Sequence, residues 1–392
     1  MADYLSNINK LHLFNFLAGM HFIGGVLIPF FTDWGGISFT QIMILQSVFM
    51  FSIFVLEIPT GAVADRFGRK ASLILGAFVT IIAVALYSAY PNFLLFVVAE
   101  FLWAMGAAFM SGANEALVYD SLKVSGSEKT SKRILGRFSG FHLLGIMVSG
   151  PIGSIIAYSV GLRYAMLFSV IPFLIAVFVG LLLREPPVMT PLEKRGYKDT
   201  ITDGLKYFSK HRTLKILAFD SIIIHALSFM LIWMYQPLLQ NFGLSILFFG
   251  VVHAGIAGTE AVIMNRFEWL EKIFGSKRKY ILGSALITGL SMMMLGINPH
   301  IELSVILIII VGGFGLTRQA LLSNYMNKHI ESGKRATVLS TVSMLSRLAS
   351  GLLYPLIGIL VDFSLSWAFI ILGIMIVAFS LISKVEEGHL LD

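Results

Sequence analysis

Gly61-Ala62-Val63-Ala64-Asp65-Arg66-Phe67-Gly68-Arg69-Lys70 stands between two long apolar runs, residues 40–62 and 71–90. A helix needs about 20 predominantly apolar residues to cross the hydrocarbon of a bilayer, so each run is long enough to span it. A connection this short, carrying three cations and one acid, can only join antiparallel neighbours at one membrane face. The same alternation of apolar run and brief polar connection continues in both directions, so this stretch sets the fold.

Upstream lies 11–31; downstream lie 93–118, 134–158, 163–183, 214–237, 246–265, 280–297, 302–326, 337–360 and 366–383. Twelve spans use about 240 residues of the 392, which leaves only short loops and tails. With 57% of residues hydrophobic and 13% charged, the composition is far from that of a soluble domain and excludes a soluble enzyme. The chain has no cysteine, which removes disulfides, thiolate metal sites and a cysteine nucleophile. The start, MADYLSNINK, lacks a strongly basic segment, and residues 11–31 run directly toward a second span. The first run is therefore expected to be kept and not cleaved as a signal.

Every second connection is basic: Arg66, Arg69 and Lys70; Lys123, Lys129, Lys132 and Arg133; Arg184 to Lys215; Arg266 to Lys279; Lys328, Lys334 and Arg335; and finally Lys384. Of the 29 Lys and Arg, only Arg163 falls on the opposite side, while Arg137, Arg318 and Arg347 lie in or near spans. The positive-inside rule then places both termini in the cytoplasm of a multi-pass protein of the cell (inner or plasma) membrane. The net charge of +7 is thereby a topology signal and calls for no nucleic acid.

The halves repeat. Lys10 to Asn15 aligns with Lys215 to Asp220, Phe67-Gly68-Arg69-Lys70 with Phe274-Gly275-Ser276-Lys277, and Asn114 to Leu117 with Arg318 to Leu321, at nearly constant offset. Such parallel repeats place a solute path between halves. The expected organisation is an N-terminal six-helix bundle over 1–183, a cytoplasmic linker over 184–212 and a C-terminal six-helix bundle over 213–392. Within the linker Ile201, Leu205 and Phe208 recur at helical spacing among Asp199, Asp203, Lys206 and Lys210, the pattern either of a short helix on the membrane surface or of a solvated linker.

The stretch Gly61 to Lys70 resembles the signature loop of the major facilitator superfamily, GxxxDRxGRR/K, at every marked position. The resemblance implies an all-α membrane protein of twelve transmembrane helices in two pseudo-symmetric bundles. It also implies a conformational latch made by Gly61, Asp65, Arg66, Gly68, Arg69 and Lys70, with Asp65 facing the N-terminus of the eleventh span and Arg69 paired to Asp120. Gly61, lacking a Cβ, is expected to let the second span approach a neighbour closely. Gly145-Ile-Met-Val-Ser-Gly150-Pro151-Ile-Gly153-Ser154 looks like a weakened version of the glycine/proline motif of the drug/proton antiporter branch, one residue short in spacing and with Ser154 where that motif ends in Gly.

In this superfamily the first, fourth, seventh and tenth spans line the central cavity, which by resemblance singles out Asn15, Asn114, Asp220 and Arg318. Ionisable groups are costly at the bilayer centre and should face protein or water. Those within spans are Glu57, Glu100, Glu115, Asp220, Glu260, Arg318 and Arg347, with His21, His142, His225 and His253. Asp220 is the first choice for a proton carrier, since a desolvated carboxylate can alternate between protonated and ionised forms; Glu100 and Glu260 are its rivals. Arg318 keeps its proton and suits an anion contact or a pair with Asp220. A permanent ion pair of Asp220 with Arg318 or Arg347 is the structural alternative. Trp103, Trp233 and Tyr235 offer an apolar surface for flat or amphipathic solutes, or simple packing.

The sequence has no HExxH pair, no GxSxG elbow and no ATP site, so neither enzyme activity, cofactor nor metal is expected. The function expected is secondary active transport by alternating access, as proton-coupled efflux of small organic or amphipathic compounds. Its partners would be a small-molecule substrate, protons and the lipid bilayer, with the chain acting as a monomer. Proton-linked import of an organic anion or other small solute is one alternative, and a sensor built on a transporter scaffold is another.

Overall fold

The computed structural model describes residues 4–187, 204, 206–331 and 334–390. The described residues are helical with no strand, and twelve helical stretches are long and apolar enough to cross a membrane. In chain order these spans are Ser6–Trp34, Phe39–Glu57, Arg69–Ala89, Phe93–Val124, Arg133–Val160, Leu162–Leu181, Arg212–Asn241, Ile246–Met264, Lys277–Ile297, Ile301–Lys328, Thr337–Phe363 and Leu365–Ile382.

Short polar connections end one helix and cap the next. Ser38 caps the second span: its hydroxyl accepts the Gln41 N–H at 3.2 Å while the Gln41 side chain accepts the Ser38 N–H at 3.0 Å. This reciprocal box satisfies donors a helix start leaves free. Asn92, Ser276 and Ser364 cap the fourth, ninth and twelfth spans with a side-chain oxygen. Surface along the spans stays greasy, as in Phe78, Leu94, Phe178, Leu352 and Phe363, because lipid rather than water covers it.

The first, fourth, seventh and tenth spans are discontinuous. The first is α-helical over Ser6–Gly19, then breaks and resumes, ending in a π-helical turn at Phe30–Trp34. The fourth breaks at Gly112, whose φ of 62° is open to glycine alone without strain. The seventh is interrupted at Met230, and the tenth passes through a π-helical stretch, Gly312–Leu316. The sixth has a single interruption, at Ser169. Breaks at corresponding positions of the two repeats free backbone groups near mid-span, where irregular backbone is tolerated only if it is buried in protein or lines a cavity.

Packing divides the chain into two units, Met1–Glu193 with Ser245–Ala254, and Lys194–Leu244 with Gly255–Asp392. The first is centred on Phe14, Leu73, Leu117, Phe138 and Phe173, one from each of five spans. The second is centred on Leu217, Ile263, Ile281, Leu322 and Val342, again from five spans. Residues Ser245–Ala254, at the start of the eighth span, pack with the first unit. Of the linker helix expected on Ile201, Leu205 and Phe208, the first two lie outside the described residues. Residues 206–210 are helical, and Phe208 packs on the core of the second unit.

Candidate functional site

The Gly61–Lys70 stretch is the end of one helix and the start of the next. Helix Phe39–Phe67 stops at Gly68, with φ of 96°, and Arg69 opens the third span. Helix N-termini present unpaired N–H groups to an anion. Glu185, just beyond the sixth span, takes that place: its carboxylate accepts the N–H of Arg69 at 2.8 Å and of Lys70 at 2.7 Å. A Cβ at Gly68 would meet this carboxylate at 2.9 Å, so the glycine serves both the turn and the carboxylate. Arg69 forms an ion pair with Asp120 of the fourth span, both partly exposed, and Lys70 donates to the Leu181 carbonyl at 2.8 Å. Asp65 and Arg66 are exposed, with the Arg66 guanidinium 5.3 Å from the Phe67 ring. The close approach expected at Gly61 is not made within this unit. A Cβ there would meet nothing within 4 Å, because Gly61 is on the exposed face of the helix while its neighbour Thr60 is the residue that meets the fourth span, at the Ala108 carbonyl.

The second unit repeats the device. Glu387, beyond the twelfth span, accepts the N–H of Lys277 at 3.2 Å and of Arg278 at 2.8 Å, and Lys277 donates to the Leu390 carbonyl at 3.1 Å. Glu271 accepts the hydroxyl of Tyr325 on the tenth span. The acid has moved from the span to the connection, and a phenol replaces the guanidinium. Neither Glu185 nor Glu387 is among the residues expected from sequence. Each follows the last span of its repeat, but their partners lie more than a hundred residues earlier in the chain.

A pocket of about 370 Å³ lies within the first unit, lined by Asn15, His21, Trp103, Asn114, His142 and Phe173 among others. It sits beside the break in the fourth span, with Ser111 and Gly112 in its wall. His21 packs against the rings of Trp103 and Phe173, centroids 5.3 and 5.5 Å away, and those two rings also meet each other at 6.4 Å. The Asn15 side-chain amide donates to the Phe138 carbonyl at 2.8 Å, and the main-chain carbonyl of Asn15 lies 3.3 Å from His142 Nδ1. His21 Nδ1 and Asn114 Oδ1 are buried with no hydrogen-bond partner among the described residues. Both residues line the pocket although these two atoms are themselves covered, and a buried polar atom without a partner calls for a water, a ligand or a side-chain rotation to satisfy it.

Glu100 is a few residues from Trp103 on the same span yet turns elsewhere. It is buried, accepts the Tyr87 hydroxyl, and lies 3.4 Å from the Gln46 amide nitrogen. Both partners are neutral. Glu260 is half-buried on the eighth span, and Arg347 half-buried on the eleventh. Trp233 and Tyr235 are 7% and 0% exposed, and the Tyr235 hydroxyl accepts the Gln236 amide at 2.9 Å. Both are buried, the Trp233 Nε1 without a partner among the described residues, and neither lines the cavity that Trp103 reaches.

Asp220 and Arg318 form one ion pair inside the second unit, each side chain 2% exposed. Arg318 Nε and Nη2 reach Asp220 Oδ1 at 2.9 and 2.5 Å, and Nη1 donates to the Ile281 carbonyl at 2.7 Å. Ser383 donates to Asp220 Oδ2 at 2.6 Å. These further partners belong to the ninth span and to the end of the twelfth, so the pair ties four segments together. Arg318 is committed to protein acceptors on three sides, which leaves it poorly placed as a free anion contact.

The fifth span lies against the first along Gly145 and Gly153, where a Cβ would strike the carbonyls of Phe16 and Phe22. Ser154 is not an idle departure from glycine: its hydroxyl accepts the Gly250 N–H at 2.8 Å, near the start of the eighth span.

The sequence model of the Major Facilitator Superfamily matches residues 11–265 and 221–385. The chain is 22% identical over 373 residues to YxaM of Bacillus subtilis (strain 168), described as an uncharacterized MFS-type transporter, with 90% of each protein covered. Nucleoside transporter NupG shares the fold with a TM-score of 0.80 at 14% identity, covering 98% of this chain and 100% of that one. The D-xylose-proton symporter does so with a TM-score of 0.75 at 16% identity and 98% of each chain.

Proposed function

The chain belongs to the major facilitator superfamily, and from this we propose that it carries a small, uncharged, hydroxyl-bearing solute, sugar-like or nucleoside-like, with protons as the coupling ion. It is a multi-pass membrane protein and a secondary transporter, not an enzyme. The observation that carries the proposal is the pocket of the first unit. Its lining offers amides, imidazoles, an indole face and one carboxylate, Glu115, and two buried atoms of its lining residues, His21 Nδ1 and Asn114 Oδ1, have no partner among the described residues. Amide and imidazole groups beside an aromatic face suit a solute with several hydroxyls and one apolar face, and the exposed carboxylate of Glu115 in the same wall can accept from such hydroxyls. The names of NupG and of the D-xylose-proton symporter lend support to that solute class.

Proton coupling is assigned to Glu100, with Glu260 as the alternative, because neither is engaged in an ion pair among the described residues. Asp220 is assigned to holding the second unit together. Asp65 and Arg69 serve the switch between access states, both termini face the cytoplasm of the plasma membrane, and the monomer is the working unit. Proton-driven export of amphipathic compounds is the second reading, favoured by the glycine row Gly145, Gly150 and Gly153 on the fifth span.

The test uses purified full-length protein in liposomes with an imposed pH gradient and a radiolabelled panel of sugars, nucleosides, organic acids and amphipathic dyes. Gradient-dependent accumulation of a sugar or nucleoside is expected. Asn114→Ala and Trp103→Ala should each raise KM for that solute by about tenfold, the scale of a lost hydrogen bond or stacking face. Gradient-driven flux of dyes alone would replace this reading with export.

A further inference from the structure

A second cavity, of about 390 Å³, opens on the flank of the second unit between the seventh and twelfth spans. Its walls are apolar: Ile216, Phe219 and Ile223 on one side, Phe379 and Ile382 on the other. The Phe219 and Phe379 rings meet edge to face at 6.3 Å and brace the two spans. Phe219 is 59% and Ile382 71% exposed, so the groove opens toward the bilayer. Four lining residues break the apolar pattern: Asp220, Ser383, Lys215 and Lys384. Lys215 stands in the first turn of the seventh span and Lys384 just past the end of the twelfth. Both are exposed, and neither ammonium has an acidic partner among the described residues. The nearest acid in the wall, Asp220, is already neutralised by Arg318 and hydrogen-bonded by Ser383.

The groove is therefore greasy along its length and doubly cationic at one end, where the chain enters one span and leaves the other. That end lies at the membrane boundary, the depth of phospholipid headgroups. An apolar slot alone would accept any acyl chain; two unpaired lysines at its mouth select for negative charge. We propose that this groove is a binding site for an anionic phospholipid, its acyl chain lying along Ile216, Phe219, Ile223 and Phe379 and its phosphate held by Lys215 and Lys384. The lipid would cover the flank of the Asp220–Arg318 pair and shield it from water.

The test titrates purified full-length protein in mild detergent with dioleoyl phosphatidylglycerol and, in parallel, dioleoyl phosphatidylcholine, counting bound lipid by native mass spectrometry. The wild type should bind phosphatidylglycerol more tightly. Lys215→Ala/Lys384→Ala should weaken phosphatidylglycerol by about tenfold or more and leave phosphatidylcholine unchanged. Lys215→Arg/Lys384→Arg should retain binding, and the equal charge loss Lys123→Ala/Lys129→Ala, in the other unit, should have no effect. Ile223→Trp fills the slot while keeping both lysines and should weaken phosphatidylglycerol comparably. Inorganic phosphate at millimolar concentration should not compete. Equal loss in the Lys123/Lys129 control, unchanged binding in both groove variants, or competition by free phosphate would each overturn the site, the last by showing a simple anion site. Thermal midpoints without lipid separate loss of binding from loss of fold, and the arginine variant retains the test if the alanine variant fails to fold.

Discussion

Arg318 lays Nε and Nη2 on a single oxygen of Asp220, at 2.9 and 2.5 Å, leaving Oδ2 for the Ser383 hydroxyl. A buried pair is stable only when both charges remain and their other polar atoms are satisfied. Asp220→Asn or Arg318→Met should therefore each destabilise the protein by about 3–5 kcal/mol. The double variant should recover a large part of that loss. Thermal unfolding in detergent reads all three, and losses that simply add would show that the two side chains do not act as a pair.

The same comparison separates fastening from proton transfer. Glu100→Gln should remove the response of solute flux to a pH gradient while leaving exchange of labelled for unlabelled solute at equilibrium. Asp220→Asn combined with Arg318→Met should keep the gradient response. Liposome flux with and without the gradient gives both answers, and the opposite outcome would return the proton to Asp220.

Glu185 holds two N–H groups at the start of the third span, and Gly68 makes room for it. Loss of such a cap typically costs about 0.5–2 kcal/mol, so Glu185→Ala should lower the unfolding midpoint modestly. Gly68→Ala should do so as well, since it strains a positive φ and crowds the carboxylate. Combining the two should cost less than their sum, because the crowding disappears with Glu185.

Asp65 is exposed at the end of the second helix and carries no evident structural duty within its unit. Asp65→Asn should reach the membrane in normal amount with an unchanged unfolding midpoint, yet lose transport. Membrane abundance and initial flux check this, and normal flux would remove Asp65 from the switch.

Glu387 gives a pH dependence with a definite sign. Its slight burial would raise the carboxyl, but the N–H groups of Arg278 and Lys277, the Ser276 hydroxyl and the Lys277 charge outweigh it and hold the group below the ordinary 4.5. A carboxyl depressed in the folded state stabilises fully above its unfolded value, and that contribution fades as pH falls through the folded one. Glu387→Gln should therefore have a lower unfolding midpoint than wild type at pH 7, with the gap closing below pH 4.5. A gap that widens on acidification would contradict the assignment.

Much of this molecule is legible in its residues. Periodic apolar runs and one-sided lysine and arginine define the spans, since a backbone in lipid must bond to itself. The pair of Arg69 with Asp120 is anticipated only through the resemblance of residues 61–70 to the superfamily's signature loop. Other features are not. Nothing local distinguishes Glu185 or Glu387 from any loop acid, because their partners lie more than a hundred residues earlier in the chain. Glu100 and Asp220 look alike as acids inside apolar helices. Only the packing gives one Tyr87 and Gln46 and the other Arg318.

By itself, then, the sequence determined that this chain crosses a bilayer twelve times in two related halves, because the hydrocarbon imposes length, polarity and backbone pairing on each segment independently. The tertiary structure alone decided which polar side chain meets which. A carboxylate becomes a helix cap, an ion-pair partner or a buried acid met only by uncharged donors according to what distant spans bring within about 3 Å, and no run of neighbouring residues encodes that distance.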